Sequence, residues 1–307
     1  MPARVQDFPV VGSFDELLAM NPDVVSICSP PWAHAEQAIA VLEHGCHVLV
    51  EKPMAMNVEE AERMAAAAER SGKLLCVAHS HLFDQSIVRA GELLDSGALG
   101  ELVSVQAVFF RGKLREGKAW LYELPGGLVF DELPHPIYLL ERFLGRTSLG
   151  GTSILRTDGR ETPRQVQATL TGETASGQIS MVMDAPVSEW HLIVTGTRRM
   201  VIADLFRDIL VELPPDGAHT PMRVIGTSVS AVTAHAAGLA RSGWKYMRKR
   251  LYYGHDTLIE QLMRAVEFGE PCPVTLESAL RTQQMVNRII EQPSCAAGEA
   301  SELTASV

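Results

Sequence analysis

The 307-residue sequence predicts an α/β region built on a parallel sheet, followed by an α+β region built on a predominantly antiparallel open sheet. Three observations carry this. Between Val24 and Ala78, short apolar runs alternate with helical spacing at the lengths of βαβ units, which need parallel strands and crossover helices. From Leu102 onward, long runs alternate in period two, as in Gln165-Val166-Gln167-Ala168-Thr169-Leu170, the pattern of strands covered on one face. Near the end, Asp256 to Phe268 and Leu276 to Ile290 return to helical spacing.

Taken in order, Val10-Val11-Gly12 is a short apolar piece, and Ser13 with Glu16 is a capping-box pattern opening a helix from Phe14 to Met20. Val24 to Cys28 reads as a strand stopped by Ser29-Pro30-Pro31. His34 to His44 is helical and ends at Gly45. His47 to Val50 is a strand covered on both faces. Asn57 caps a helix reaching about Arg70, and Leu74 to Ala78 is the third strong strand. A helix from Ser86 to Asp95 follows. The period-two strands are Leu102 to Phe110, Gln165 to Leu170, Gly177 to Met183, Trp190 to Thr195, Met200 to Asp204 and Ile209 to Leu213.

Composition excludes several function classes. With 46% hydrophobic and 21% charged residues the chain is an ordinary soluble globular protein. A net charge of -10 argues against nucleic acid as the main partner. No apolar run approaches the roughly 18 residues of a membrane span, so no membrane partner is expected. Met1 to Gly12 lacks the order of a signal peptide. Five cysteines, an odd number without a CxxC, suit reduced thiols in a cytoplasmic protein and give no metal site. The run Arg241 to Arg250, with Trp244 and Tyr246, reads as a solvated helix or subunit contact rather than a membrane patch or phosphate site.

Four short features carry the chemistry. Ser29-Pro30-Pro31 with His34 follows one strand, Glu51-Lys52-Pro53 the next, and His79-Ser80-His81 the third. Strand carboxyl ends of an open α/β sheet are where ligands bind, so these three should line one crevice. The fourth is Gly126-Gly127 followed by Asp131 and His135, whose i, i+4 spacing on a helix from Asp131 to Leu144 would place both on one face. Each feature has a plainer alternative. Glu51-Lys52 alone is a strand end with a solvated ion pair. D-x-x-x-H alone is a core histidine. His34 suits packing or capping at a helix start, and His79 and His81 suit a structural role as well as a substrate contact.

In this order, Pro30-Pro31 with His34, Glu51-Lys52-Pro53 and Gly126-Gly127 with Asp131 and His135 resemble the glucose–fructose oxidoreductase / inositol dehydrogenase (Gfo/Idh/MocA) family over nearly the whole chain. The resemblance implies a Rossmann-like first domain and a dehydrogenase using NAD or NADP on a secondary alcohol or ketone of a polyol or sugar-like substrate. It implies Lys52, Asp131 and His135 as the catalytic group. His135 would be the base, because hydride leaves a carbinol only as its hydroxyl proton is removed. Lys52 would stabilise the developing alkoxide, and Asp131 would orient substrate or imidazole. Pro30, Pro31, His34, Glu51, Lys52 and Pro53 would lie at the cofactor, and His79, His81 and Tyr138 near the substrate. Tyr138 stands where family members often carry an Asp, and His79 and His81 also depart from the family's usual residues.

The family pattern sets further expectations. Residues 1–98 would form a partial dinucleotide-binding domain, 99–295 a substrate and oligomerisation domain, and 296–307 a disordered tail. The antiparallel sheet would mediate a homodimer or homotetramer. Val10-Val11 would correspond to the family's third strand, which leaves the G-x-G-x-x-G loop absent. A mis-called start roughly 60 residues too late, the usual span of that β-α-β portion, is one reading. A cofactor-free, non-catalytic oligomerisation or scaffold protein is another, and strands supplied by another chain a third.

Overall fold

The computed structural model describes residues 9–112, 119–156, 162–215, 220–247 and 254–293. The expected tail, 296–307, and the last three residues of the basic run lie outside them. The chain forms two compact units, one of residues 9–78 with Leu262–Leu280, the other of His79–Gln261 with the described residues from Arg281 on. Among the described residues no helix is long and apolar enough to cross a membrane.

In the first unit, α1 (Phe14–Ala19) opens on Ser13, whose hydroxyl accepts the Glu16 N–H. The Glu16 carboxylate reaches back to the Gly12 N–H at 2.8 Å, one residue further out than a regular capping box. The strand expected at Val10-Val11 is not there: the pair is irregular and Val10 is 81% exposed. Two valines without a paired neighbour have no ladder to hold them extended.

The sheet is three parallel strands in the order β1 (Val24–Ile27), β2 (His47–Val50) and β3 (Leu75–Val77). Ile27 pairs with Val50 and Val50 with Val77, so the three carboxyl ends are level. Between them run α2 (His34–Glu43) and α3 (Val58–Ser71), which pack on each other. Val48, Val50, Cys76 and Val77 are fully buried, as continuous apolar strands covered on both faces must be. Asn57 caps α3 by accepting the Glu60 N–H at 2.9 Å, and Gly72 ends it in the left-handed conformation at φ 65°.

The second unit opens with α4 (Gln85–Asp95) and holds a seven-stranded sheet. Its strands are β4 (Leu102–Gly112), β5 (Ser148–Leu155), β6 (Gln165–Thr171), β7 (Ser176–Ala185), β8 (Glu189–Gly196), β9 (Met200–Asp204) and β10 (Ile209–Leu213). The order is β10-β9-β8-β4-β7-β6-β5, with every pair antiparallel except β4 with β7. Val105, Ala107 and Phe109 point inward from β4, and α5 (Leu128–Glu132) leads into α6 (Pro134–Leu144), which packs on β4 and β7. Gln106, Gln167 and Gln178 face outward, completing the period-two alternation.

Two elements were not legible. Gly150-Gly151 hid β5, which pairs with β6 across an irregularity between Leu149 and Gly151; glycine weakens the strand signal without preventing pairing. The long α7 (Pro221–Met247) packs on β10, with Gly238 against Ile209. The last helices, α8 (His255–Phe268) and α9 (Leu276–Ile290), each contribute to both units. The Asn57 cap gives a test: Asn57→Ala should lower stability by about 1 kcal/mol, read as an earlier chemical-unfolding midpoint, while Asn57→Asp should restore most of it.

Candidate active site

In the first unit the level strand ends place two of the expected features side by side. After β1 the chain passes Ser29 and Pro30 into a single helical turn over Pro31–Ala33, and α2 starts at His34. Pro31 suits that first helical position, where its missing N–H costs nothing. After β2 come Glu51, Lys52 and Pro53, with a cis peptide between Lys52 and Pro53. His34 ties the two loops together. It is fully buried, with Nδ1 2.9 Å from the Pro53 carbonyl oxygen and Nε2 2.8 Å from that of Ser29. The Ser29 hydroxyl donates to Gln37 Oε1 at 2.7 Å, and the Met56 N–H to Glu60 Oε2 at 3.0 Å. Glu51 and Lys52 are half-buried on this braced turn.

The second unit gathers the remaining expected residues. Gly126 and Gly127 have φ of 74° and 58°, the region that favours glycine. A Cβ on Gly127 would overlap the Thr162 hydroxyl, which accepts the Leu128 N–H at 3.1 Å at the start of α5. The glycine pair is thus what allows α5 to begin where it does. Asp131 lies on α5 and His135 on α6, so the single helix expected over both is corrected to two helices meeting at Leu133. Pro134 and Pro136 are the reason: neither has an N–H to continue the helical ladder.

His135 is 6% exposed and sits in an aromatic and charged cluster. Its Nδ1 is 2.7 Å from the Tyr138 hydroxyl, and its Nε2 is 3.8 Å from Glu132 Oε2. The other Glu132 oxygen lies 2.9 Å from Arg111 Nε. The His81 ring lies edge-on at 5.0 Å from the His135 ring, and the Trp190 ring lies tilted at 5.1 Å. His81 Nδ1 meets the buried Asp84 carboxylate at 2.7 Å. Burial raises the Asp84 pKa, and the His81 contact opposes the rise. His79 stacks on Tyr138, centroids 4.4 Å apart, and its Nδ1 has no hydrogen-bond partner. Burial alone lowers its pKa to about 3, so the ring is neutral at pH 7.

His79, His81, His135 and Tyr138 therefore form one cluster. Three members went unread. Glu132 and Tyr138 flank His135 at i−3 and i+3, a spacing that could have marked Glu132. Arg111 and Trp190 reach the cluster from the sheet, and no local signal marks them.

The model of the oxidoreductase family with an NAD-binding Rossmann fold matches residues 3–79, and that of the GFO/IDH/MocA C-terminal domain matches residues 87–202. The chain is 41% identical over 138 residues, 43% of its length, to the 1-carboxy-3-chloro-3,4-dihydroxycyclohexa-1,5-diene dehydrogenase of Comamonas testosteroni. It is 44% identical over 86 residues, 28% of its length, to D-glucoside 3-dehydrogenase of Escherichia coli K12. These matches span 35% and 24% of the two relatives' own lengths. The WlbA dehydrogenase of Bordetella pertussis, solved with NADH and UDP-GlcNAcA, superposes with a TM-score of 0.73 at 19% identity, over 91% of this chain and 80% of that one. That likeness establishes the fold.

The buried imidazole of His79 makes a pH prediction. Its pKa is about 3 folded against an ordinary 6.5, so between these values the unfolded chain binds one more proton. Stability should therefore rise with pH across that window, by up to about 1.4 kcal/mol per unit, and level off above 6.5. Urea midpoints measured from pH 4 to 7 should show a flatter profile for His79→Gln than for the natural chain.

Proposed function

Because the chain belongs to the Gfo/Idh/MocA oxidoreductase family, we propose that it transfers a hydride between NAD or NADP and a secondary alcohol or ketone of a sugar-like or cyclitol substrate. The observation that carries the reading is the order of features along the two matched regions: a braced Glu51-Lys52-Pro53 turn at a strand end in the first, and a glycine pair, Asp131 and His135 in the second. The two relatives' names, a dihydroxycyclohexadiene dehydrogenase and a glucoside 3-dehydrogenase, support a ring alcohol as substrate.

The residues present suit the nicotinamide end of such a cofactor. Glu51 offers a carboxylate to ribose hydroxyls, and Lys52 an ammonium on a turn that His34 holds in place. Held there, a nicotinamide would supply the hydride acceptor or donor. In this reading Lys52 donates a hydrogen bond to the substrate oxygen and stabilises the alkoxide that develops there. His135 takes the hydroxyl proton. Tyr138 holds Nδ1 of that imidazole and so leaves Nε2 as the proton-carrying atom, while Asp131 orients the substrate. Trp190 and the neutral His79 keep the surroundings apolar.

A cytoplasmic location belongs to the same reading, since the described cysteines Cys28, Cys46, Cys76 and Cys272 are free thiols. So does a homodimer or homotetramer through the outward face of the seven-stranded sheet, where Gln106, Gln167 and Gln178 are exposed.

Lys52→Ala and His135→Asn should each lower turnover of a sugar or cyclitol by about 10²- to 10⁴-fold, and His135→Asn should leave nicotinamide binding, followed by calorimetry, intact. Normal turnover with both residues replaced would refute the assignment. Absence of nicotinamide binding by the natural chain would favour a non-catalytic scaffold. Tyr138→Phe should lower kcat by about tenfold at most and displace the acid limb of its pH profile, which a merely structural role would leave in place.

A further inference from the structure

Two cysteines far apart in the sequence meet inside the first unit. Cys76 stands in β3, fully buried, with its backbone in the ladder opposite Leu49. Cys272 is half-buried in the connection between α8 and α9, within Leu262–Leu280, the stretch that belongs to the same unit. The two thiols share a side-chain hydrogen bond, and both sulfurs take a backbone hydrogen bond from Val274. The Cys272 sulfur also lies 3.1 Å from the Val274 carbonyl oxygen.

The backbone that carries the pair is stiff. Gly269 closes α8 at φ 70°. Pro271 and Pro273 flank Cys272, which fixes φ on either side and keeps Cys272 itself extended. Val274 is buried, and the Thr275 hydroxyl accepts the Ser278 N–H at 3.2 Å as α9 begins. Cys76 is held by its strand. Both sulfurs therefore sit on backbone with little freedom to separate them.

The two thiols are chemically unequal. The hydrogen bond with Cys272, and then burial, push the Cys76 thiol up. The same hydrogen bond draws Cys272 down to about 7, against the effect of burial. Cys272 is thus the thiolate, and it is the one nearer solvent, with Cys76 as the thiol behind it. A partly exposed thiolate is what an oxidant reaches, and a second thiol in contact with it resolves the product. The other described cysteines are placed differently: Cys28 is exposed beside the Ser26 hydroxyl, and Cys46 is buried.

We propose that Cys76 and Cys272 form an intramolecular disulfide when the chain meets a peroxide, a reversible modification that ties β3 to the connection between α8 and α9. The Cys272 thiolate attacks one peroxide oxygen; the S–O bond forms, the O–O bond breaks and hydroxide leaves. The Cys76 sulfur then attacks the Cys272 sulfenic acid; the S–S bond forms, the S–O bond breaks, and the hydroxyl leaves as water with the Cys76 proton. The pair is oxidised by two electrons and hydrogen peroxide is reduced to water. In a reducing compartment the pair rests as two thiols. The inference goes beyond the dehydrogenase reading and holds whether or not the chain turns over a sugar.

The test treats the reduced full chain with hydrogen peroxide, blocks the remaining thiols with iodoacetamide in denaturant, and maps the peptides by mass spectrometry. A peptide joining Cys76 to Cys272 should appear, lighter by two hydrogens than its separate parts, and dithiothreitol should reverse it. Cys28 and Cys46 should remain alkylated. Cys76→Ser should leave a sulfenic acid on Cys272 that dimedone traps, and Cys272→Ser should form no cross-link. Circular dichroism checks folding, and Cys76→Ala is read if a hydroxyl at that buried place unfolds the chain. Treatment in urea should scatter the disulfides among all the cysteines. Absence of the Cys76–Cys272 peptide overturns the proposal, as does pairing no more selective in the folded chain than in urea, or pairing between two chains. Dimedone that marks other cysteines but not Cys272 overturns the assignment of the attacking thiol.

Discussion

A buried imidazole must find partners for its ring nitrogens, and in this chain the answer to that requirement shapes loops and helix starts within each of the two units. His34, His79, His81 and His135 are all under 9% exposed. His34 meets two backbone carbonyls and thereby joins the loop after β1 to the one after β2. His81 meets Asp84, and His135 meets Tyr138. Each pairing fixes a loop or a helix start that has no regular ladder of its own. An unpaired polar group in such a place costs about 1–3 kcal/mol, enough to decide between alternative loop conformations.

His79 is the exception, and its environment explains why it is tolerated. It stacks flat on Tyr138 and remains neutral, so the cost is that of one unpartnered nitrogen rather than of a buried charge. The result around His135 is a wall of rings beside the Glu132 carboxylate, itself at ion-pair distance from Arg111.

The two glycines before α5 do similar work through the backbone. Gly126 and Gly127 take conformations that side chains disfavour, and Gly127 makes room for the Thr162 hydroxyl that holds the first N–H of the helix. The prolines that follow then break the path into α5 and α6, which puts Asp131 and His135 on separate helices. Both effects are written in the residues. The i, i+4 spacing of Asp131 and His135 predicts one helix, and the missing N–H groups of Pro134 and Pro136 divide it into two.

The sequence by itself determined what depends on neighbours within a turn or two. Apolar runs gave β1, β2 and β3; alternation gave β4 and β6 to β10; Ser13 and Asn57 gave helix starts. The order of Glu51-Lys52-Pro53, Gly126-Gly127, Asp131 and His135 gave the family resemblance. Tertiary structure decided what depends on residues far apart in the chain. It brought Trp190 and Arg111 from the sheet to His135, set β4 parallel to β7, and paired the glycine-interrupted β5 with β6. It also turned the small residues of α7 inward and its large ones outward. Periodicity reports that a helix has two faces; which face meets the sheet is settled by what fits against it, and at Ile209 only Gly238 leaves the room.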